Sequence, residues 1–314
     1  MMRILIGYDG SEGADAALID LQRAGLPDEA EALIVAVADV TALPEMPNYE
    51  FAGPVITSRR LASGLMFAEK QRDRILEVAD ATARKGVERV RSYFPNWDVQ
   101  AEKLAGSASW ELLNKAHSWR PDLVVVGSHG RSPFGRFVLG SFSKNIVTDS
   151  NHSVRVARGV VEGNDHRPPR ILIGVDGSTE AERAVRSVGR RVWPGGTEVR
   201  IVAVDDGTSP ARISGVLPTA ASMIADHNQE MAVASGRMVQ WAENQLSLIG
   251  LKVSVAIEKG DPLRVLMHHA QTWRADSIFV GGRRFSSGWQ RWRLGSVATA
   301  LATNAPCSVE VVRS

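Results

Sequence analysis

The chain carries two copies of one pattern, and this duplication limits its possible folds more than any other feature. Residues 4–11, Ile-Leu-Ile-Gly-Tyr-Asp-Gly-Ser, recur as residues 171–178 with one change in eight positions. Residues 119–127 recur similarly as residues 273–281. The copies are about 160 residues apart, whereas the units of solenoid proteins are roughly 20 to 45 residues long. The sequence therefore predicts two tandem domains and a linker: residues 1–157, residues 170–314 and, between them, residues 158–169.

Within each copy, short apolar runs alternate with segments of helical hydrophobic period. In the first copy the predicted strands are residues 3–7, 33–38, 99–104, 123–126 and 154–157. The predicted helices lie between them, at residues 14–24, 61–90, 107–118 and 141–149. Continuous apolar strands separated by helices are typical of a parallel sheet covered on both faces. The predicted fold class is α/β, with two tandem doubly wound domains, Rossmann-like or flavodoxin-like, each with a five-stranded, mostly parallel sheet.

Composition narrows the classes of partner. The 314 residues carry a net charge of +2, which is too small to favour nucleic acid or an anionic membrane surface. The apolar runs are far shorter than the roughly 20 residues of a membrane-spanning helix. A single cysteine, Cys307, excludes intrachain disulfides and fits a reducing compartment. We therefore expect a cytoplasmic protein.

A glycine-rich segment follows the fourth predicted strand of the first copy. Gly127 and Gly130 are followed by Gly140 and Ser141, which begin a predicted helix. Unpaired N–H groups and the positive end of the dipole at a helix N-terminus attract phosphate. Asp9 and Gly127 both end predicted strands, and ligands of doubly wound sheets bind beyond such ends at the switch point. The sequence predicts a phosphate site there, although Asp9 and its counterpart Asp176 could also serve only as helix caps.

This spacing of glycines resembles the ATP-binding branch of the universal stress protein family, and the resemblance covers both copies. It implies the strand order 3-2-1-4-5 in each domain and an adenine nucleotide, ATP or a relative, with Mg or Mn. The leading hypothesis is a regulatory protein of the stress response that binds its nucleotide rather than turning it over, because the sequence offers phosphate donors but no convincing catalytic base. The ligand residues implied in the first domain are Asp9, Gly10, Ser11, Val37, Gly127, Gly130, Arg131, Gly140, Ser141 and Ser143.

The second copy departs from this motif. Arg284 stands where the second glycine is expected, the spacing to the final Gly-Ser is one residue longer, and Ala298 replaces Ser143. Nucleotide binding is therefore predicted mainly for the first domain. The weaker candidates in the second domain are Asp176, Gly281, Gly295 and Ser296.

Two other functions stay open. The first is an enzyme, either a slow ATPase or a nucleotidyl transferase, although the chain contains neither His-x-Gly-His nor Ser-Gly-Gly-x-Asp-Ser. The second is an interaction module for protein or single-stranded nucleic acid, because residues 283–293 combine four arginines with two tryptophans and a phenylalanine. The near-neutral net charge favours protein over nucleic acid.

The last strand of each copy predicts how the two domains meet. Residues 154–157 and 309–312 would each form an open sheet edge, and open edges in native proteins are paired or covered. Members of the resembled family commonly dimerise through this edge. The sequence thus predicts pairing of the two domains through their last strands, and assembly of the chain into a homo-oligomer.

Overall fold

The computed structural model describes residues 1–40, 59–128, 139–158, 167–205, 218–282 and 295–313. The first half contains β1 (Met2–Gly7), α1 (Glu12–Asp20), β2 (Ala30–Ala38), α2 (Arg59–Tyr93), β3 (Asp98–Ala105), α3 (Ala108–Trp119), β4 (Leu123–Gly127), α4 (Ser141–Asp149) and β5 (Ser153–Ala157). The second half contains β6 (Arg170–Val175), α5 (Thr179–Gly189), β7 (Glu198–Asp205), α6 (Pro218–Leu248), β8 (Lys252–Lys259), α7 (Pro262–Thr272), β9 (Ser277–Gly281), α8 (Ser296–Asn304) and β10 (Ser308–Val312).

All ten strands join one sheet, in the order β3-β2-β1-β4-β5-β10-β9-β6-β7-β8. Each half therefore has the order 3-2-1-4-5, and its strands run parallel. The predicted α/β fold of two tandem doubly wound domains is confirmed. Because β1 lies between β2 and β4, the chain changes direction across the sheet at β1, which makes the gap beyond β1 and β4 the switch point of the first half.

Alternate residues of the strands pack against opposite helical layers. In β1, Ile4 and Ile6 join a core with α1 and α2, whereas Leu5 joins a core with α3 and α4. The second half repeats this division, with α5 and α6 on one face and α7 and α8 on the other. The core beneath α3, α4, α7 and α8 is continuous across both halves. Burial on both faces explains why the strands read as apolar runs rather than as alternating patterns.

The halves meet where β5 pairs antiparallel with β10. Val154 and Val156 lie opposite Val311 and Val309, and their side chains enter the continuous core. Arg155 lies opposite Glu310 in the same ladder. The two valine pairs thus provide an apolar face, while the other face of the same two strands carries a pair of opposite charges.

A chain of four buried charged groups crosses this interface. The Arg155 guanidinium donates to both carboxylate oxygens of Asp20, at 2.7 and 3.1 Å, and lies 3.5 Å from the carboxylate of Glu310. Glu310 in turn accepts from Arg191, which follows α5. Although burial disfavours its charge, Asp20 and Glu310 keep the pKa of Arg155 above its ordinary value. Two cations and two carboxylates therefore balance one another at the junction of the halves.

Residues at both ends of the predicted linker are bound to the second half. The Arg158 side chain reaches α8, and the Arg167 guanidinium donates to both oxygens of Asp276, at 2.9 and 3.0 Å. Arg23 of the first half donates to the same carboxylate at 3.0 Å. The linker residues between Arg158 and Arg167 lie outside the described residues. None of the helices in the described ranges has the length and apolar character needed to cross a bilayer.

Cys307 lies in the continuous core beside this interface, and its environment makes the thiol a reporter of unfolding. Burial raises the pKa of the thiol to about 12. Because the thiolate is the reactive form, we expect Ellman's reagent at pH 8 to react with the native chain more than about a hundredfold more slowly than with the denatured chain. Equal rates for the native chain and for the chain in denaturant would show that Cys307 is accessible.

Candidate functional site

The turn after β1 forms one wall of the switch point. Gly10 adopts a φ of +74°, a left-handed conformation that glycine accepts without strain. Asp9 accepts from the backbone and the hydroxyl of Ser11, at 3.0 and 2.6 Å, and the Ser11 hydroxyl accepts from the Ala14 N–H at 3.2 Å. Ser11 is therefore the N-cap of α1. Asp9 does not itself cap α1; it accepts from the capping residue Ser11 and so orients it. This role is compatible with ligand binding.

Gly127, at the end of β4, is pressed against the first turn of α1. A β-carbon at this position would lie 2.7 Å from the carbonyl oxygen of Gly13 and 2.9 Å from its carbon. Contacts below 3.0 Å with backbone atoms cannot be relieved by a side-chain rotation. The missing side chain of Gly127 therefore lets α1 pack on β4, which brings the N-terminus of α1 to the end of the neighbouring strand.

The N-terminus of α4 forms the second wall. Gly140 is its N-cap, with φ and ψ of −60° and 151°, and the Lys144 N–H donates to the Gly140 carbonyl as the helix begins. The N–H groups of the first helical turn have no partner within the helix, and Ser141 is exposed. Gly140 also donates to the carbonyl of Ser128 at 3.1 Å, so that the helix starts beside the end of β4. An exposed helix N-terminus at the switch point is suited to an anion.

Ser143 is buried, and its hydroxyl donates to the carbonyl of Gly127 at 2.6 Å. This bond ties the first turn of α4 to the end of β4. Because the proton of the hydroxyl points to Gly127, Ser143 supports the position of the helix N-terminus. Val37 lies near the carboxyl end of β2, paired with Leu104 and partly buried.

The structure thus brings three predicted segments together around the ends of β1 and β4: the Asp9–Ser11 turn, Gly127 and the start of α4. Two of the predicted ligand residues, Gly130 and Arg131, lie outside the described residues. Within the described ranges, no group of three or more His, Cys, Asp and Glu side chains could hold a metal ion.

The second half repeats this framework but lacks one of its polar groups. Asp176 accepts from the backbone N–H of Ser178 at 3.0 Å, and Ser178 caps α5. Gly295 is the N-cap of α8, and Ser296 is exposed like Ser141. Ala298, however, fills the place of Ser143 and has no hydroxyl to offer.

Gly281 is even more tightly enclosed than its counterpart Gly127. A β-carbon at Gly281 would lie 2.4 Å from the carbonyl carbon of Glu180. Arg284 and the segment of arginines and tryptophans at 283–293 lie beyond the described residues, so the structure has no bearing on that interaction surface.

Comparison with known proteins agrees with this architecture. The sequence model of the universal stress protein family matches residues 1–158 and again residues 169–313. A universal stress protein of Mycolicibacterium smegmatis is 26% identical over 331 aligned positions, which cover 99% of this chain and 96% of that protein. A universal stress protein of Mycobacterium tuberculosis is 26% identical over 320 positions, with the same coverage of both chains.

Among solved structures, a universal stress protein from Archaeoglobus fulgidus has a TM-score of 0.59 at 19% identity. The comparison covers 99% of this chain and 98% of that one. A putative universal stress protein from Pseudomonas aeruginosa has a TM-score of 0.55 at 13% identity and covers 100% of this chain. At these identities the similarity shows only that the whole tandem chain shares its fold with these proteins.

Proposed function

The chain belongs to the universal stress protein family, and we propose that its first half binds ATP or a related adenine nucleotide as a regulatory ligand. The observation that carries the proposal is the exposed N-terminus of α4 at the switch point, beside the Asp9–Ser11 turn. Phosphate is the ligand for which a helix N-terminus is best suited, because several N–H groups and the helix dipole act on it together.

In this proposal the residues divide into two groups. Gly140 and Ser141, with the undescribed Gly130 and Arg131, bind the phosphates, while Asp9 and the region of Val37 face the nucleoside. Gly127 and Ser143 hold α1 and α4 in place around the ligand. A divalent cation, Mg²⁺ or Mn²⁺, would accompany the phosphates, since Mg²⁺ keeps several waters and needs few protein carboxylates.

The proposed role is binding rather than turnover. Hydrolysis requires a group that activates or positions the attacking water. Asp9, the carboxylate of the described site, uses one oxygen to accept two hydrogen bonds from Ser11. We therefore expect retained nucleotide and slow phosphate release. A cytoplasmic location and a homo-oligomeric state stay predictions, as does the division of the chain into residues 1–157 and 170–314.

We propose further that the second half does not bind the same ligand. Its helix N-terminus is present, but Ala298 cannot make the bond by which Ser143 ties α4 to β4. Arg284 also replaces a glycine that the motif requires for close approach of the backbone.

Calorimetry with a matched pair of variants tests this assignment. Gly140→Val introduces a branched side chain at the N-terminus of α4, and Gly295→Val introduces the same side chain at the equivalent place in α8. We expect ATP affinity to fall by at least about tenfold in the first variant, or about 1.4 kcal/mol, and to be unchanged in the second.

Nucleotide released by denaturing the purified chain would identify the natural ligand by chromatography. The proposal is contradicted if the native chain binds none of ATP, ADP and AMP. Equal losses in the two variants would instead assign the ligand to both halves, and rapid phosphate release would favour an ATPase.

A further inference from the structure

Two arginines each extend their side chain from their own half of the chain to a helix of the other half. Arg158 directly follows β5 and Arg313 directly follows β10, so they hold equivalent places in the two copies. Each guanidinium crosses the β5–β10 boundary and donates to backbone carbonyls at the C-terminal end of a helix of the opposite half. The helices concerned are α8 and α4, the two that begin at the Gly-Ser pairs of the motif.

The Arg313 side chain of the second half caps α4. It is buried, with 9% of its surface exposed, and it donates to the carbonyl of Val147, in the last turn of α4. It also donates to the carbonyl of His152, just beyond the helix, at 3.2 Å. Its backbone N–H donates to the hydroxyl of Ser153 at 3.0 Å, which fixes the start of the side chain on β5.

Arg158 makes the corresponding bonds in the opposite direction, together with one further bond, to Thr303. It donates to the carbonyls of Ala302 and Thr303 at the end of α8, the latter at 3.0 Å, and to that of Cys307 at 3.5 Å. Its backbone N–H donates to the hydroxyl of Ser308 at 2.9 Å. Three bonds of each arginine correspond by position: those to Val147 and Ala302, to His152 and Cys307, and to Ser153 and Ser308. The contact of each arginine with the opposite half therefore follows from the paired architecture.

A cation at the C-terminus of a helix acts on the whole helix. It satisfies carbonyls that have no partner within the helix and complements the negative end of the dipole. The nine residues of α4 span only about 13 Å at 1.5 Å per residue. A group that fixes the last turn of so short a helix therefore also restricts its first turn, where the N–H groups without a partner in the helix lie.

We propose that Arg313 is a positioning residue for the nucleotide site in the other half of the chain. It holds α4 from its C-terminal end, so that the N–H groups at the opposite end are already oriented when the phosphates bind. This inference rests on the proposed nucleotide binding by the first half. It gives the second half a role in ligand binding that does not require the second half to bind nucleotide itself.

Arg158 supplies a matched control, because it makes the equivalent bonds to the helix whose motif is degenerate. Arg313→Met keeps the length of the side chain but removes its charge and donors, and Arg158→Met does the same at the other end of the interface. Arg313→Lys keeps the charge. ATP affinity of the full chain is measured by calorimetry, and amide hydrogen exchange is followed in residues 141–149 and 296–304.

We expect Arg313→Met to weaken ATP binding about three- to tenfold and to speed exchange in residues 141–149, with Arg313→Lys intermediate. Arg158→Met should leave ATP affinity unchanged and speed exchange only in residues 296–304. A merely structural role for the two arginines predicts equal loss of affinity in both methionine variants, and that result overturns the proposal. Unchanged affinity in Arg313→Met overturns it as well.

The exchange measurement separates this proposal from the proposed function. If the native chain binds no adenine nucleotide, the proposed function fails, and selective loss of protection in residues 141–149 of Arg313→Met would still show that α4 is held from the other half. If ATP binds but neither methionine variant changes exchange in its target helix, the proposed function stands and the role of Arg313 is refuted. Should Arg313→Met not fold, Arg313→Lys decides by the same two measurements.

Discussion

Replacing Arg155 with methionine is expected to lower the free energy of unfolding by about 3 to 5 kcal/mol. The guanidinium is completely buried, and it donates to Asp20, to Glu310 and, at 2.9 Å, to the hydroxyl of Ser277. Methionine fills the space of the side chain but leaves the buried carboxylate of Asp20 without its cation. Removal of one partner from a buried ion pair costs more than the pair contributes, because the remaining charge cannot be hydrated.

Chemical denaturation followed by circular dichroism measures this effect. An exposed pair provides the control: Arg84 donates to Asp80 at 2.8 Å, and 72% of the Arg84 side chain is accessible to solvent. Arg84→Met should change the free energy of unfolding by no more than about 0.5 kcal/mol. A double variant, Asp20→Asn with Arg155→Met, should recover part of the loss, since it leaves no unpaired carboxylate at that position. Similar values for the Arg155 and Arg84 variants would contradict the structural role of the buried network.

The sequence predicts the fold of this chain well because its signals are local and occur twice. The run of apolar residues in each strand and the helix at 141–149 depend on neighbouring residues, and the structure has them at the expected places. Strand β2 begins at Ala30 rather than at Leu33, because pairing with β1 extends the ladder beyond the apolar run.

Local signals of this kind do not predict the contacts of the buried charged residues. Arg155 and Glu310 hold equivalent positions in two strands whose other residues, apart from an initial serine, are apolar. A difference in charge at one repeat position is visible in the sequence. Their other partners are not visible there. Asp20 is 135 residues from Arg155, at the end of a helix whose direction across the sheet decides the contact. The same holds for Arg313 and α4, which meet only because two half-sheets join edge to edge.

The sequence predicts where the candidate site lies, but not which contact each of its residues makes. The motif places Gly127 and Gly140 in one group of phosphate-binding glycines, and the structure separates them. Gly140 begins a helix whose first N–H groups have no partner within the helix, whereas Gly127 is a point of close packing between β4 and α1. A sequence motif records that a side chain is absent at a position, but not whether a ligand or a neighbouring helix requires the space.

This difference predicts that Gly127→Ala and Gly281→Ala both destabilise the chain, by about 1 to 3 kcal/mol each. The β-carbon would meet backbone atoms of Gly13 in the first variant and of Glu180 in the second, so α1 or α5 must move away from the sheet. Gly236, within α6, is the control. Apart from the adjacent residues and backbone of α6 itself, no atom lies within 4 Å of a β-carbon at that position, and Gly236→Ala should raise the free energy of unfolding by about 0.5 to 1 kcal/mol.

Gly281→Ala separates the two explanations, because the second half lacks other parts of the motif but has Gly281. If the two glycines served only to admit a ligand, Gly127→Ala would weaken ATP binding without loss of stability, and Gly281→Ala would have no effect on either quantity. If they serve the packing of helix on strand, both substitutions lower the denaturation midpoint. Only Gly127→Ala then also weakens the proposed ATP binding, through displacement of the Asp9–Ser11 turn. Retention of Gly281 in a degenerate motif then follows from the fold alone, since any larger residue would separate α5 from β9 whether or not a nucleotide is bound.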